Sequence, residues 1–310
     1  MGPHPAVAQV RSAVRAALTD CSPTVFVACS GGADSLALAA ALAFEAPRAG
    51  VDAGLVTIDH GLQAGSVEQA RRVLEIGYEL GLDPVEMISV TVDGAGGPEA
   101  AARQARYDAL GALATAWDAD VLLGHSLDDQ AETVLLGLGR GSGPRSIAGM
   151  RLRAGRYVRP LLGVRRSVTE AACTALGLEP WQDPHNADPG YQRVRLRTEV
   201  LPLIEDVLQG GVVEALARTA SLVQDDLDAL DQLAVDHRGV GVAELADLSR
   251  ALRTRVLRTW ALSFGVTELS AERLAAVDAL ITDWHGQGPI DLPGGVRVSR
   301  VSGRLELERP

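Results

Sequence analysis

Apolar and polar positions along this chain follow two rhythms. Four short apolar runs, Val25–Ser30, Gly54–Asp59, Val85–Val92 and Asp120–Gly124, read as buried strands. Longer stretches with a helical period lie between and around them: Ala6–Leu18, Asp34–Phe44, Ser66–Leu80, Pro98 to about Trp117, and Asp128–Leu138. Strands alternating with helices predict an α/β fold, a doubly wound and mostly parallel sheet covered on both faces. Ser66 with Gln69, and Ser167 with Glu170 ahead of a helix to Leu176, fit capping boxes.

After Leu138 the rhythm breaks. Arg140-Gly141-Ser142-Gly143-Pro144 opens a stretch to about Gly155 that reads as a mobile surface loop. Arg156–Leu162 reads as one more strand, and Trp181 to Gly190 as a turn-dense linker. From Gln192 to about Trp284 nearly everything is helical. Ile290–Leu292, Val296–Val301 and Arg304–Glu308 then alternate as short strands. A length of 310 residues, at about 100–200 residues per domain, predicts two domains. They are expected at 1–190 and, mainly helical, at 191–310.

Parallel sheets bind ligands outside the carboxyl ends of their strands. Three polar strand ends fall there: Ser30-Gly31-Gly32, Asp59-His60 and His125-Ser126. The first is the sharpest, because Ser30-Gly31-Gly32-Ala33-Asp34-Ser35 joins a strand to a helix start. Glycines admit an anion close to the backbone, and the free N–H groups of a first helical turn point at it. Ser30 and Ser35 add hydroxyls, and Asp34 has the chemistry to hold a divalent cation against phosphates. A plain strand-to-helix turn capped by Asp34 or Ser35 accounts for the same residues. Asp128 and Asp129 open the helix after the fourth strand, where the dipole favours them. Together with Asp34 they suit a shared Mg²⁺ or a substrate amine. Glu99, Arg103 and Arg106 share one helix face, which an exposed ion pair explains equally well.

Composition narrows the choices. The chain holds no lysine, so all 29 of its basic residues are arginine. A Walker-type GxxxxGK[ST] loop and a lysine Schiff base are therefore excluded. Cys21, Cys29 and Cys173 form no CxxC, which argues against structural zinc, an iron–sulfur cluster or a disulfide framework. Net charge is −11, yet between Arg140 and Glu199 eleven arginines face five acids. That Arg-rich middle suits a polyanion, and a solvated loop surface suits it as well. No apolar run reaches the roughly 20 residues of a membrane span, and the N-terminus lacks the pattern of a signal peptide. A cytoplasmic protein without a membrane partner is expected.

The SGGxDS run at Ser30–Ser35 resembles the signature of the PP-loop ATP pyrophosphatases, whose fold is adenine nucleotide alpha-hydrolase-like. More segments, in the same order, look like the tRNA(Ile)-lysidine synthetases. They are Asp59-His60-Gly61-Leu62, Glu99–Tyr107, Gly124-His125, Asp128-Asp129-Gln130-Ala131-Glu132-Thr133, Arg140-Gly141-Ser142-Gly143 and Gly149-Met150. Arg159-Pro160-Leu161-Leu162 and Trp181…Asp183-Pro184…Asn186…Tyr191…Arg193…Arg195 complete the set. The resemblance is dense over residues 20–205 and thin beyond. It implies ATP-dependent ligation of free lysine to the wobble cytidine of an isoleucine tRNA, through an adenylated cytidine, releasing pyrophosphate and AMP.

By that resemblance Ser30, Gly31, Gly32, Ala33, Asp34, Ser35, Asp59 and His60 bind ATP, and Asp34 and Asp128 hold Mg²⁺. Asp34, Arg103, Arg106 and Asp128 are the catalytic candidates. His125, Asp129, Glu132, Arg140, Arg193 and Arg195 would face lysine or tRNA, with the helical half on the anticodon region. Ser126 stands where relatives often have a second histidine, Val194 where they have asparagine, and Ala33 where lysine is frequent. The alternatives are another PP-loop tRNA-modifying or amide-forming ligase, and a non-enzymatic ATP-binding module. A homodimer is compatible with all of these.

Overall fold

The computed structural model describes residues 2–61, 65–92, 98–183, 188–237, 241–266 and 269–309. Leu62, the glycine-rich stretch 93–97, the Glu99 side chain, Pro184 and Asn186 lie outside the described residues. The chain divides into two compact units, Met1–Thr133 with Met150–Ala217, and Val134–Gly149 with Arg218–Pro310. These units depart from a single boundary at 190. The helices after residue 191 stay with the first unit as far as Ala217, and residues 134–149 go to the second.

In the first unit the chain runs α1 (Pro5–Leu18), β1 (Thr24–Ala28), α2 (Ala33–Ala49), β2 (Asp52–Asp59), α3 (Ser66–Glu79) and β3 (Val85–Ser89). It continues with α4 (Pro98–Ala116), β4 (Asp120–Leu123) and α5 (Leu127–Arg140). Past α6 (Pro144–Ile147) come β5 (Arg153–Ala154), β6 (Tyr157–Val158), α7 (Arg166–Leu176), α8 (Gln192–Arg195) and α9 (Leu201–Val207). The sheet has the order β3-β2-β1-β4-β6-β5, parallel throughout except for the β5–β6 hairpin. The expected mostly parallel α/β sheet is observed.

β1 sits at the centre, and its alternation builds both core layers. Val25, Val27 and Cys29 pack with α1, α2 and α7. Phe26 and Ala28 face the other way, onto Leu110, Leu113 and Ala114 of α4. Gly54 makes room for Phe26, since a Cβ there would lie 2.6 Å from the ring and 2.8 Å from the Pro84 carbonyl.

Three local expectations change. α3 begins after Gly65, in the left-handed region at φ 88°, and no side chain caps it. Gln69 instead lies against Gly31. α7 begins one residue before Ser167, and the Arg166 N–H donates to Asp128 Oδ2 at 2.8 Å. A carboxylate from α5 thus performs the capping that a local Ser-Glu box would have supplied. The stretch 140–155 is anchored rather than a free loop. Gln130 and Met150 exchange two hydrogen bonds of 2.9 and 2.7 Å, and the Ser146 hydroxyl donates to Gly137 O at 3.1 Å. The strand read at 156–162 shortens to Tyr157–Val158 because Pro160, with no N–H for the ladder, turns the chain into a 3-10 helix.

In the second unit the part of α10 (Val212–Val235) from Arg218 onward, α11 (Val242–Ala246), α12 (Arg250–Ser263) and α13 (Ala271–Thr282) precede the meander β7 (Ile290–Leu292), β8 (Val296–Val301) and β9 (Arg304–Glu308). Its core joins Leu245, Leu257 and Leu280 to Val296, Val298 and Leu305 of the strands. Among the described residues no helix is long and apolar enough to cross a membrane.

Candidate active site

The turn after β1 is built to leave its donors free. Gly31 lies at φ +86°, and a Cβ on it would meet the Gln69 side chain at 2.3 Å. Gly32 takes the N-cap position of α2 in extended conformation, and no side chain caps the helix. Neither Asp34 nor Ser35 fills that role, which leaves the first-turn N–H groups without a side-chain acceptor. Ser35 locks the turn instead, its hydroxyl donating to Gly32 O at 2.9 Å and accepting from Ser30 N at 3.2 Å. Its proton is therefore spent, and the Ser30 hydroxyl is the one that faces the cleft. From behind, Gly124 at the end of β4 abuts the turn; a Cβ there would lie 3.0 Å from Ser35 N.

A cleft of about 360 Å³ opens at these strand ends, lined by Ser30, Gly32, Asp59, His60, Arg106 and Trp181 among others. Trp181 N donates to Gly31 O at 2.9 Å, so the 181–183 segment closes over the turn. Arg106 is half-buried, and burial pushes its guanidinium below the ordinary range. No carboxylate pairs with it among the described residues. Burial, and then the Arg106 charge, likewise lower the His60 imidazole. His125 is pushed down to about 3, first by burial, with Arg106, Arg159 and Arg103 adding to it against Asp129. Both imidazoles are neutral at pH 7, and the Nδ1 of each is buried without a partner among the described residues. Neutral histidines, an unpaired arginine and uncapped N–H groups together suit a polyphosphate.

A second group of charges centres on Arg166. Its Nη2 lies 2.6 Å from Asp129 Oδ1, its Nε 3.3 Å from Asp34 Oδ2 and its Nη1 3.7 Å from Glu132 Oε1. Asp34 also accepts from the Thr169 hydroxyl. Burial dominates at Asp34 and holds its carboxyl above the usual range, with Thr169 and Arg166 opposing. At Asp129 burial is the largest single influence, yet Arg166 and the Ser126 N–H and hydroxyl outweigh it, so the carboxyl lies low. Glu132 is fully buried and held by Arg197 at 2.8 and 3.3 Å, with Arg193 at 3.7 Å. Arg197 sits in a π turn, Leu196–Val200, that widens the helix between α8 and α9 and aims the guanidinium inward. Asp128 is engaged by the Arg166 N–H and by Arg165 at 3.2 Å.

The structure therefore gathers Ser30–Ser35, Asp59, His60, Arg106, His125, Asp128, Asp129, Glu132 and Arg193 in the first unit. Arg103 stays exposed, stacked over the Tyr107 ring at 4.9 Å. Arg195 points to solvent and pairs with Glu199 at 2.8 Å, away from the cluster. Arg140 lies exposed in the second unit. Arg165, Arg166, Thr169 and Arg197 were not singled out from sequence. Their only signal was the Arg-rich middle, and periodicity does not say which of its arginines turn inward. Among the described residues no group of three His, Cys, Asp or Glu is arranged to hold a metal ion. Asp34, engaged by Thr169 and Arg166, offers a single carboxylate for Mg²⁺, which is commonly held by one or two carboxylates plus substrate phosphates.

Comparison with known proteins decides the family. Residues 7–204 match a PP-loop domain and residues 241–306 a TilS substrate binding domain. The chain is 55% identical to the tRNA(Ile)-lysidine synthase of Thermobifida fusca, covering 98% of both chains. It is 52% identical to that of Streptomyces coelicolor, with both covered completely. The chain belongs to the tRNA(Ile)-lysidine synthase family. Among solved structures, the U34-tRNA thiolase NcsA from Methanococcus maripaludis with its [4Fe-4S] cluster aligns with a TM-score of 0.59 at 17% identity. That alignment covers 71% of this chain and 80% of that one. The likeness establishes the shared fold alone; the three cysteines here are free. In this member of the tRNA(Ile)-lysidine synthase family, the PP-loop match ends three residues before α9 does, so the π turn that carries Arg197 lies inside it.

Proposed function

We propose that this protein joins free lysine to the wobble cytidine of an isoleucine tRNA at the expense of ATP. One observation carries the reading. An uncapped glycine turn and the unpaired Arg106 face one cleft, and a buried carboxylate cluster begins at Asp34 of the same turn. The first half suits a polyphosphate and the second a cation.

In the first step the cytosine carbonyl oxygen attacks the α-phosphate, and pyrophosphate leaves. The N–H groups of the α2 first turn and the Ser30 hydroxyl hold the leaving group. Arg106 stabilises the charge that gathers on the α-phosphate. Asp34 would hold a Mg²⁺ ion together with the substrate phosphates, and the ion would supply charge neutralisation for the leaving pyrophosphate. Asp128 caps α7, and through it places Arg166 on the three remaining carboxylates.

In the second step the lysine ε-nitrogen attacks the adenylated carbon, sheds a proton, and AMP leaves. Asp129 and Glu132 are the seats for the lysine amines. In the arrangement described both are already occupied by guanidinium groups, so the substrate cation takes the place of an arginine there. Neutral His125, beside Asp129, has an acceptor nitrogen for an ammonium proton. The arginines of the 140–159 stretch and the helices of the second unit meet the tRNA backbone.

The test is a turnover assay with ATP, lysine and isoleucine tRNA, reading AMP and pyrophosphate. Sustained AMP release requires lysine and tRNA together; pyrophosphate release in a first turnover requires tRNA but not lysine. AMP release that ignores either substrate overturns the reading, as does full lysine incorporation by Asp34→Ala.

A further inference from the structure

In the second unit two arginines meet one carboxylate, and a third stands one helical turn along from one of them. Arg145 of α6 places Nη2 at 2.6 and 2.8 Å from the two oxygens of Asp231 on α10. Arg255 of α12 brings Nε to 3.1 Å from Asp231 Oδ1, without the alignment of a hydrogen bond. Arg258, three residues further along α12, sits where the Asp231 and Arg145 charges both act on it. It forms no ion pair among the described residues. Three guanidinium groups against one carboxylate leave an excess of two positive charges.

That excess works against the fold. Burial and the neighbouring Arg145 press the Arg258 guanidinium below its ordinary range, and Asp231 only partly offsets them. Arginine does not shed its proton in a protein, so the repulsion stays as a cost in stability. In a chain of net charge −11, any neutral side chain at 258 would lower that cost. An anion placed among the three guanidinium forks would remove it.

We propose that Arg145, Arg255 and Arg258 seat a phosphodiester group of the tRNA backbone. The inference rests on the tRNA reading above and extends it to named residues of the second unit. Asp231 keeps two of the guanidinium groups in place, and the planar forks match phosphate oxygens in a way that a lysine would not. Such a contact positions the RNA and carries no sequence information.

The variant that tests it is Arg258→Gln, which removes the unpaired cation and leaves the Arg145–Asp231 pair intact. In the full-length enzyme, binding of tRNA weakens about tenfold, and the slope of log affinity against log salt falls by about 1. At saturating tRNA the kcat is unchanged, as are the KM values for ATP and lysine, and the thermal midpoint stays or rises. Arg258→Lys, which keeps the charge and loses the fork, falls between. Arg297→Gln, which breaks an exposed pair with Asp291, leaves tRNA affinity unchanged. Unaltered tRNA affinity and salt slope in Arg258→Gln overturn the proposal, and a lower thermal midpoint alongside would mark the cluster as a structural joint. Loss of inorganic phosphate binding alone overturns it too. Wild-type enzyme that shows no tRNA-dependent lysine incorporation removes the underlying reading as well, and so distinguishes the two failures.

Discussion

Arg166 Nη2 lies 2.6 Å from Asp129 Oδ1, and the same guanidinium reaches Asp34 and Glu132. One arginine thus separates three carboxylates that would otherwise repel one another in a largely buried space. Among the described residues, removing it leaves Asp34 without a cation and Asp129 with only the more distant Arg197, which costs more than the pair itself is worth. Arg166→Gln should lose roughly 3–5 kcal/mol of stability and all measurable lysine incorporation. Without Arg166 the Asp34 and Asp129 carboxyls rise in pKa, so they are protonated, and the fold recovers, as pH falls. Urea denaturation at pH 8 and pH 5.5 should show the deficit shrinking at the lower pH; an equal deficit at both would place the defect elsewhere.

Arg106 makes the opposite trade. It faces the cleft without a carboxylate among the described residues, and burial disfavours its charge. Arg106→Gln should reduce kcat about a hundredfold or more, the scale seen when one donor to a developing anion is removed. The thermal midpoint should not fall. A variant with wild-type kcat would show that Arg106 does not meet the α-phosphate.

Two glycines test how closely the backbone is packed. A Cβ on Gly137 would sit 1.8 Å from the Ser146 carbonyl oxygen, and one on Gly124 would sit 3.0 Å from Ser35 N. Gly137→Ala should cost near the upper end of about 1–3 kcal/mol, since backbone must move. Gly124→Ala needs a shift of a few tenths of an ångström, but in the turn proposed to hold the phosphates. Its expected signature is a raised KM for ATP with a smaller loss of stability. A Gly124→Ala enzyme with unchanged KM would mean that the turn tolerates displacement.

His125 gives the protein a pH dependence of known sign. Its folded pKa of about 3 lies below the ordinary 6.5. Between those values the unfolded chain binds the proton and the folded one does not. Its contribution to stability is therefore fully present above about pH 6.5 and is lost progressively as pH falls toward 3. His125→Gln should flatten the wild-type decline, by about 1 kcal/mol between pH 7 and 5.5. Parallel curves for the two proteins in chemical denaturation would remove His125 as the cause.

Local pattern reached a good part of this. Val25, Phe26 and Val27 alternate because a strand presents successive side chains to opposite faces, and both faces are buried here. The glycine turn was legible because only Gly tolerates the backbone at position 31. The capping patterns at Ser66 and Ser167 misled, because a helix N-terminus takes whichever acceptor is nearest in space. For α7 that acceptor is Asp128, 38 residues away in sequence. Arg195 misled in the same way, since its own helix supplies Glu199 as a closer partner.

The sequence by itself determined the order of strands and helices, the glycine turn before α2, and the exclusion of any lysine-based site. These follow from side-chain period, glycine's backbone freedom and composition, all of which are local or countable. Tertiary structure decided the charge partners. Arg166 meets Asp34 across 132 residues and Asp129 across 37, and Arg197 meets Glu132 across 65. Electrostatic pairing acts through distance in space, and only the folded sheet brings these ends together.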